Sequence, residues 1–145
     1  MASVKPISLL TVEADKQTLA IITRMVAKKF PDNTVYSAEN GVTGIEIFKQ
    51  FNPDLVITDA NMPVMDGVEM VRTIRSLGAD KTFFVVTAYS DRAIFDTFTG
   101  LGVCAYLLKP LDFNELFASI EICITKCQGS EASNQVETLP AARVK

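Results

Sequence analysis

Histidine is missing from the 145 residues of this chain. That absence removes a Ser-His-Asp triad, a Cys-His pair and any zinc site with imidazole ligands. Chemistry here has to rest on carboxylates, hydroxyls and lysines. Basic charge is scarce too. The 14 Lys and Arg stand against 17 Asp and Glu, a formal charge of −3, and the pI is near 4.9. A large basic surface for nucleic acid or an anionic membrane is therefore not expected. No apolar run approaches the roughly 20 residues of a membrane-spanning helix. The opening "MASVKPISLLTVEADK" meets carboxylates too soon for a signal peptide. Cys104, Cys123 and Cys127 have no paired spacing and leave one odd thiol, which fits reduced thiols in the cytoplasm.

What is present is a chain 48% hydrophobic, of a length that suits one compact domain. Strand-like and helix-like runs alternate. "ISLLTV" (7–12), "TVYSA" (34–38), "DLVIT" (54–58), "TFFVVT" (82–87) and "VCAYLL" (103–108) read as strands. Between them, 16–29 carries Leu19, Ile22, Met25 and Val26 at helical spacing. Residues 41–51 place Ile45, Phe48 and Phe51 on one side, and 66–77 give Val68, Val71 and Ile74 as an inner face. Asp91 suits the N-cap of a fourth helix to about Thr99. Asp112 suits that of a fifth, with Phe113, Leu116, Phe117, Ile120 and Ile124 in its stripe. Ile122 and Cys123 fall off that stripe, and either widen the core face or mark a dimer surface. Five β-α pairs predict an α/β fold: a flavodoxin-like, doubly wound (βα)5 sandwich on a parallel five-stranded sheet of order 2-1-3-4-5. The core domain is expected over 1–127. Residues 128–145, rich in Ser, Glu, Asn, Gln and Ala, read as a tail or linker.

In such a sheet the ligand site forms beyond the carboxyl ends of the strands. Strand one ends at Glu13, Ala14 and Asp15, strand three at Asp59, strand four at Thr87, and strand five leads to Lys109-Pro110. Carboxylates gathered at one rim repel and call for a cation or a proton. Mg²⁺ takes one or two carboxylates plus water and phosphate oxygens, and a lysine offers a mobile positive point. The set is a kit for phosphoryl transfer.

Three runs, "DLVITDANMPVMDG" (54–67), "VVTAYSD" (85–91) and "AYLLKP" (105–110), resemble the signature segments of the receiver domain of two-component response regulators. The resemblance extends from about Ile7 to Cys127, in order and spacing. It implies that Asp59 accepts a phosphoryl group from a histidine kinase or histidine phosphotransfer protein, and that Lys109 contacts that group. It implies that Thr87 moves toward it and Tyr106 changes rotamer, altering the face of the fourth helix, fifth strand and last helix, which is also a candidate homodimer surface. It implies a cis Lys109-Pro110 bond, and Mg²⁺ held by Glu13, Asp59 and the main-chain carbonyl of Asn61. The chain is then a cytoplasmic phosphoacceptor signalling domain, not an enzyme with a separate substrate.

Receivers place two adjacent acids after strand one. Here Ala14 stands at the second, the more direct metal position, so weakened Mg²⁺ binding is expected. Asp15 aligns with a third acid and suits an N-cap better than a metal ligand. Tyr89, two residues after Thr87, and Asn61, two after Asp59, flank the path of the hydrolytic water in this family. A bulky Tyr89 implies slow self-dephosphorylation. Ala14 also leaves room for a receiver-like interaction module that works without phosphorylation. Glu13-Ala14-Asp15 mimics the D-x-D of haloacid-dehalogenase-type phosphatases too. Glu is a poor substitute for their nucleophile, and that reading leaves the Asp59 run unexplained.

Overall fold

A computed structural model describes residues 6–62, 64–77, 81–88 and 92–128. Five strands and five helices alternate: β1 (Ser8–Val12), α1 (Lys16–Lys29), β2 (Thr34–Ala38), α2 (Gly41–Phe51), β3 (Leu55–Thr58), α3 (Gly67–Ser76), β4 (Thr82–Thr87), α4 (Arg92–Gly100), β5 (Ala105–Leu108) and α5 (Phe113–Gln128). The strands form one parallel sheet in the order β2-β1-β3-β4-β5. This is the flavodoxin-like arrangement expected from the alternation.

Near-continuous apolar strands are what a parallel sheet covered on both faces requires. Side chains alternate between two cores. Leu10, Val12, Val56, Phe83, Val85 and Tyr106 enter the cluster shared with α2, α3 and α4. Leu9, Leu55, Ile57, Phe84, Val86 and Leu107 enter the cluster that contains Ile22 and Val26 of α1 and Leu116 and Ile120 of α5. Phe83 and Phe84 point to opposite faces and are both fully buried, each contributing about 1.5–3 kcal/mol of apolar transfer.

Several faces differ from the sequence expectation. Phe51 is 43% exposed and stacks on Tyr36 at 4.4 Å. It ends α2 beside the edge strand β2, where no further layer covers it. In α3 the buried arc is Gly67, Met70, Val71 and Ile74. Val68 sits half-buried at its margin. Cys123 is fully buried while Ile122 remains 36% exposed, so the thiol widens the core face of α5. β5 starts two residues later than expected, because Val103 turns its N–H toward Phe98 O at the end of α4. Helix α5 runs to Gln128, one residue into the segment expected as tail. Residues 129–145, Tyr89, Asp91 and the Cys127 side chain lie outside the described set.

Candidate functional site

The register of the sheet brings the site together. Val12 pairs with Thr58, so the next residues, Glu13 and Asp59, leave the sheet side by side. Glu13 N donates to Ala38 O at 3.1 Å and Asp59 N to Val12 O at 3.1 Å. Thr87 pairs with Leu108, and Lys109 N donates to Thr87 O at 2.9 Å. Lys109 therefore leaves β5 at the same rim. The Lys109-Pro110 bond is cis.

Glu13 and Asp59 are buried, at 5% and 8% exposure. Lys109 Nζ joins them, donating to Glu13 Oε1 at 2.8 Å and to Asp59 Oδ2 at 3.0 Å. Their other oxygens take main-chain donors: Asp15 N reaches Glu13 Oε2 at 3.0 Å, and Asn61 N reaches Asp59 Oδ1 at 3.2 Å. Burial pulls the Lys109 ammonium down. The hydrogen bonds and charges of Glu13 and Asp59 together outweigh it and hold the group above its ordinary range.

Asp15 is exposed and caps α1. Its Oδ2 accepts from Thr18 N at 2.9 Å and from the Thr18 hydroxyl. The hydroxyl and then that N–H hold the Asp15 carboxyl below its ordinary value. Asp66 caps α3 through Glu69 N, and Asp112 caps α5 through Asn114 N and Glu115 N. Ala14 is half-buried and packs against the α2/α3 core. Among the described residues no three His, Cys, Asp or Glu side chains converge as a metal cage.

Thr87 and Tyr106 lie on the opposite side of the sheet's alternation from Lys109, toward α4. Both are buried. Tyr106 meets Phe95 edge-on at 5.1 Å and Phe98 at 6.1 Å. One supporting residue went unread in the sequence. Thr18 pins the cap, and its signal was the D-x-x-T spacing at a helix start. Gly67 packs α3 onto the loop that follows β3. A Cβ there would collide with Asp59 O, and the Asp66-Gly67 dipeptide reads in the sequence as a turn and helix start, as found.

A family model described as the response regulator receiver domain matches residues 9–121. The chain belongs to the response regulator receiver family. An uncharacterised response regulatory protein from Staphylococcus epidermidis is 33% identical over 93 residues, covering 64% of this chain and 36% of that one. The response regulator MprA of Mycobacterium ulcerans is 31% identical over 134 residues, covering 90% of this chain and 56% of its own. The CheY-like receiver domain of Methanospirillum hungatei has the same fold, with a TM-score of 0.78 at 20% identity, over 87% of this chain and 99% of that one. This receiver thus spans about a third to just over half of the two curated relatives. None of its described helices is long and apolar enough to cross a membrane.

Lys109 also borders an apolar groove of about 260 Å³ lined by Ile21, Ile22, Pro110, Leu111 and Phe113. The receiver therefore presents a charged rim and an apolar recess next to one another.

Proposed function

We propose that this receiver accepts a phosphoryl group on Asp59 from a phosphohistidine donor, a histidine kinase or a histidine phosphotransfer protein. The observation that carries the reading is the Lys109 ammonium, 3.0 Å from Asp59 Oδ2 and 2.8 Å from Glu13 Oε1 at the carboxyl rim. An Asp59 oxygen attacks phosphorus, the P–N bond of the donor breaks, and the imidazole nitrogen keeps the electron pair. The product is an acyl phosphate. Lys109 is positioned to hand its hydrogen bonds from a carboxylate to a phosphoryl oxygen, where added negative charge needs donors. The chain acts as a signalling domain, assisting only its own phosphorylation and dephosphorylation.

The donor set fits Mg²⁺. It consists of hard oxygens, from Glu13, Asp59 and the main-chain carbonyl of Asn61, and Mg²⁺ prefers oxygen with several waters retained. Bound there, the ion supplies positive charge to the phosphoryl oxygens. Asp15, committed to its cap, is left out of this set.

The output is a change on the face of α4, β5 and α5, the candidate homodimer surface. The Thr87 hydroxyl moves toward the phosphoryl group, and Tyr106 responds within its Phe95 and Phe98 packing. The apolar groove beside Lys109 offers the donor protein a place to dock a side chain.

Labelling with acetyl phosphate and Mg²⁺, read by intact mass, tests the acceptor. One phosphoryl group is expected on the wild type and none on Asp59→Asn. Beryllofluoride should shift amides across α4, β5 and α5. Shifts confined to the loops around Asp59 at saturation would refute the switch. Ala14 favours a second reading, a receiver used as a phosphorylation-independent interaction module. Absence of labelling at saturating Mg²⁺ would select it.

A further inference from the structure

We propose that Arg75 is the fixed pivot of α4. It ties the C-terminal end of that helix to α3, so that α4 turns about Leu101 and Gly102 when the receiver switches. The inference goes beyond the phosphoacceptor reading and rests on it only for the trigger.

Arg75 lies in the last turn of α3 and is half-buried. Its guanidinium reaches two neighbouring segments at once. Nε donates to Leu101 O at 3.1 Å and Nη2 to Gly102 O at 3.3 Å, both just beyond the end of α4. Nη1 donates to Lys81 O at 3.2 Å, immediately before β4. Arg75 Cζ stands 4.7 Å from the centre of the Phe83 ring, which is fully buried. A planar fork of N–H donors can span three carbonyls and lie on an aromatic face. An ammonium is a point charge and cannot span that set. Carbonyls at a helix C-terminus lack partners within the helix and carry the negative end of its dipole, so a guanidinium there supplies both donors and charge.

The turn is shaped for this contact. Gly102 has φ 80°, in the left-handed region, and a Cβ there would lie 3.2 Å from Arg75 Nη2. Leu101 N, Gly102 N and Val103 N all donate back to carbonyls of α4, at Thr97, Thr99 and Phe98. The turn and the end of the helix therefore form one piece, and Arg75 holds that piece.

Burial along α4 declines from Phe98 toward Arg92. Phe98 is buried, Ile94 and Phe95 are half-buried, and Arg92 and Ala93 are exposed. Thr97 and Thr99 turn their hydroxyls back to Ala93 O and Phe95 O, a bond that slightly weakens and bends a helix. A helix pinned at one end and weakened along its length moves most at the other. α3, which carries the pin, begins where Gly67 N donates to Ala60 O at 2.9 Å, one residue from Asp59. The pivot is therefore mounted on the helix that starts beside the rim.

The test is amide hydrogen exchange, read by NMR, on the wild type, Arg75→Met and Arg75→Lys, with and without beryllofluoride. Without it, Arg75→Met should lose protection at Leu101, Gly102 and Val103 by about ten- to hundredfold, the usual scale for removing a charged donor. Amides of α2 and α5 should keep theirs. Arg75→Lys should lose nearly as much, because charge without the fork does not span the carbonyls. With beryllofluoride, the wild type should change protection at Asp96 and Thr97 and keep it at Leu101, Gly102 and Val103. In Arg75→Met both groups should change. A loss in Arg75→Met shared equally by α5 would make Arg75 an ordinary packing residue and overturn the pivot. So would full protection in Arg75→Lys, or a wild-type response to beryllofluoride as large at Gly102 as at Asp96. Should Arg75→Met fail to fold, Arg75→Lys is judged on the same amides. Beryllofluoride that leaves every wild-type amide unmoved sinks the acceptor reading alone, and exchange in the unliganded proteins then decides the pivot.

Discussion

At the carboxyl end of β1, Glu13 is followed by Ala14 and Asp15. At the end of β3, Asp59 is followed by Ala60 and Asn61. The local geometry repeats as well. In each case a buried carboxylate accepts the N–H two residues on and gives its other oxygen to Lys109. The two ends diverge in what comes next. After Glu13 the chain enters α1 at Lys16, pinned by the Asp15 cap. After Asp59 it runs through a loop until α3 begins at Gly67. That loop holds Val64 in a left-handed conformation, φ 73°, with 79% of its surface exposed. A β-branched residue is rarely found there. The lesson is that identical first contacts serve different ends. Glu13 leads straight into a helix, and on the proposed reading it positions Lys109 through their hydrogen bond. Asp59 leads into a loop, and on the proposed reading it is the residue that accepts the phosphoryl group.

The largest expected effect breaks the symmetry directly. Asp59→Asn should reduce acetyl phosphate labelling to background. Glu13→Gln should leave Asp59 labelled, but about ten- to hundredfold more slowly, the usual cost of losing an orienting group. Equal loss in both variants would make Glu13 as essential as Asp59 and end the distinction.

The loop's anchoring gives the next effect. Gly67→Ala would set a Cβ 2.2 Å from Asp59 O and 3.1 Å from Ala60 Cα. Both neighbours are backbone, so the loop must shift. The cost should be about 1–3 kcal/mol, as for an overpacked core, with slower labelling because Asp59 moves. Gly100→Ala is the control. Nothing lies within 4 Å of its added Cβ, and α4 should gain up to about 1 kcal/mol from the better helix former. Chemical denaturation reads both signs.

A smaller effect concerns the shared ammonium. Burial lowers the Lys109 pKa, but its bonds to Glu13 and Asp59 and their charges raise it further, to a net value above 10.5. Stabilisation from this group is then complete below 10.5 and is lost as pH rises through the higher folded value. Thermal melting carried to strongly alkaline pH should show that loss in the wild type, and a flatter limb in Lys109→Met. The same alkaline slope in both would place the titration elsewhere.

Strand order was legible because five apolar runs separated by helical patterns leave few parallel topologies. The rim was legible because polar residues closed buried strands. What was not legible was partnership. Met70 and Val68 both follow a helical period, and only the angle at which α3 meets the sheet sends Met70 inward. Phe51 follows the same helical period as buried Phe48, and only its place at the end of α2, stacked on Tyr36 of the edge strand, leaves it 43% exposed. That Lys109 bridges Glu13 and Asp59 depends on contacts 96 and 50 residues apart in the chain. Spacing alone does not encode such contacts.

The smallest expected effect tests the β1 end alone. Asp15 is exposed, and its carboxyl is held low first by the Thr18 hydroxyl and then by Thr18 N. The cap's contribution should be present above 3.8 and lost as pH falls through the lower folded value. Asp15→Ala should lower the melting temperature by a few degrees near neutrality, and Asp15→Asn by less, since the amide oxygen still accepts from Thr18 N. The acid limb should flatten in both. Metal affinity separates a cap from a ligand. Asp15→Asn keeps the acceptor and removes the charge, so a capping residue loses little Mg²⁺ binding and a coordinating carboxylate loses much. A small fall in labelling is expected in Asp15→Ala, because a frayed first turn loosens the Asp15 N–H from Glu13 Oε2 and with it the anchor of Lys109. Mg²⁺ affinity that collapses in Asp15→Asn with melting unchanged would make Asp15 the ligand that Ala14 fails to supply.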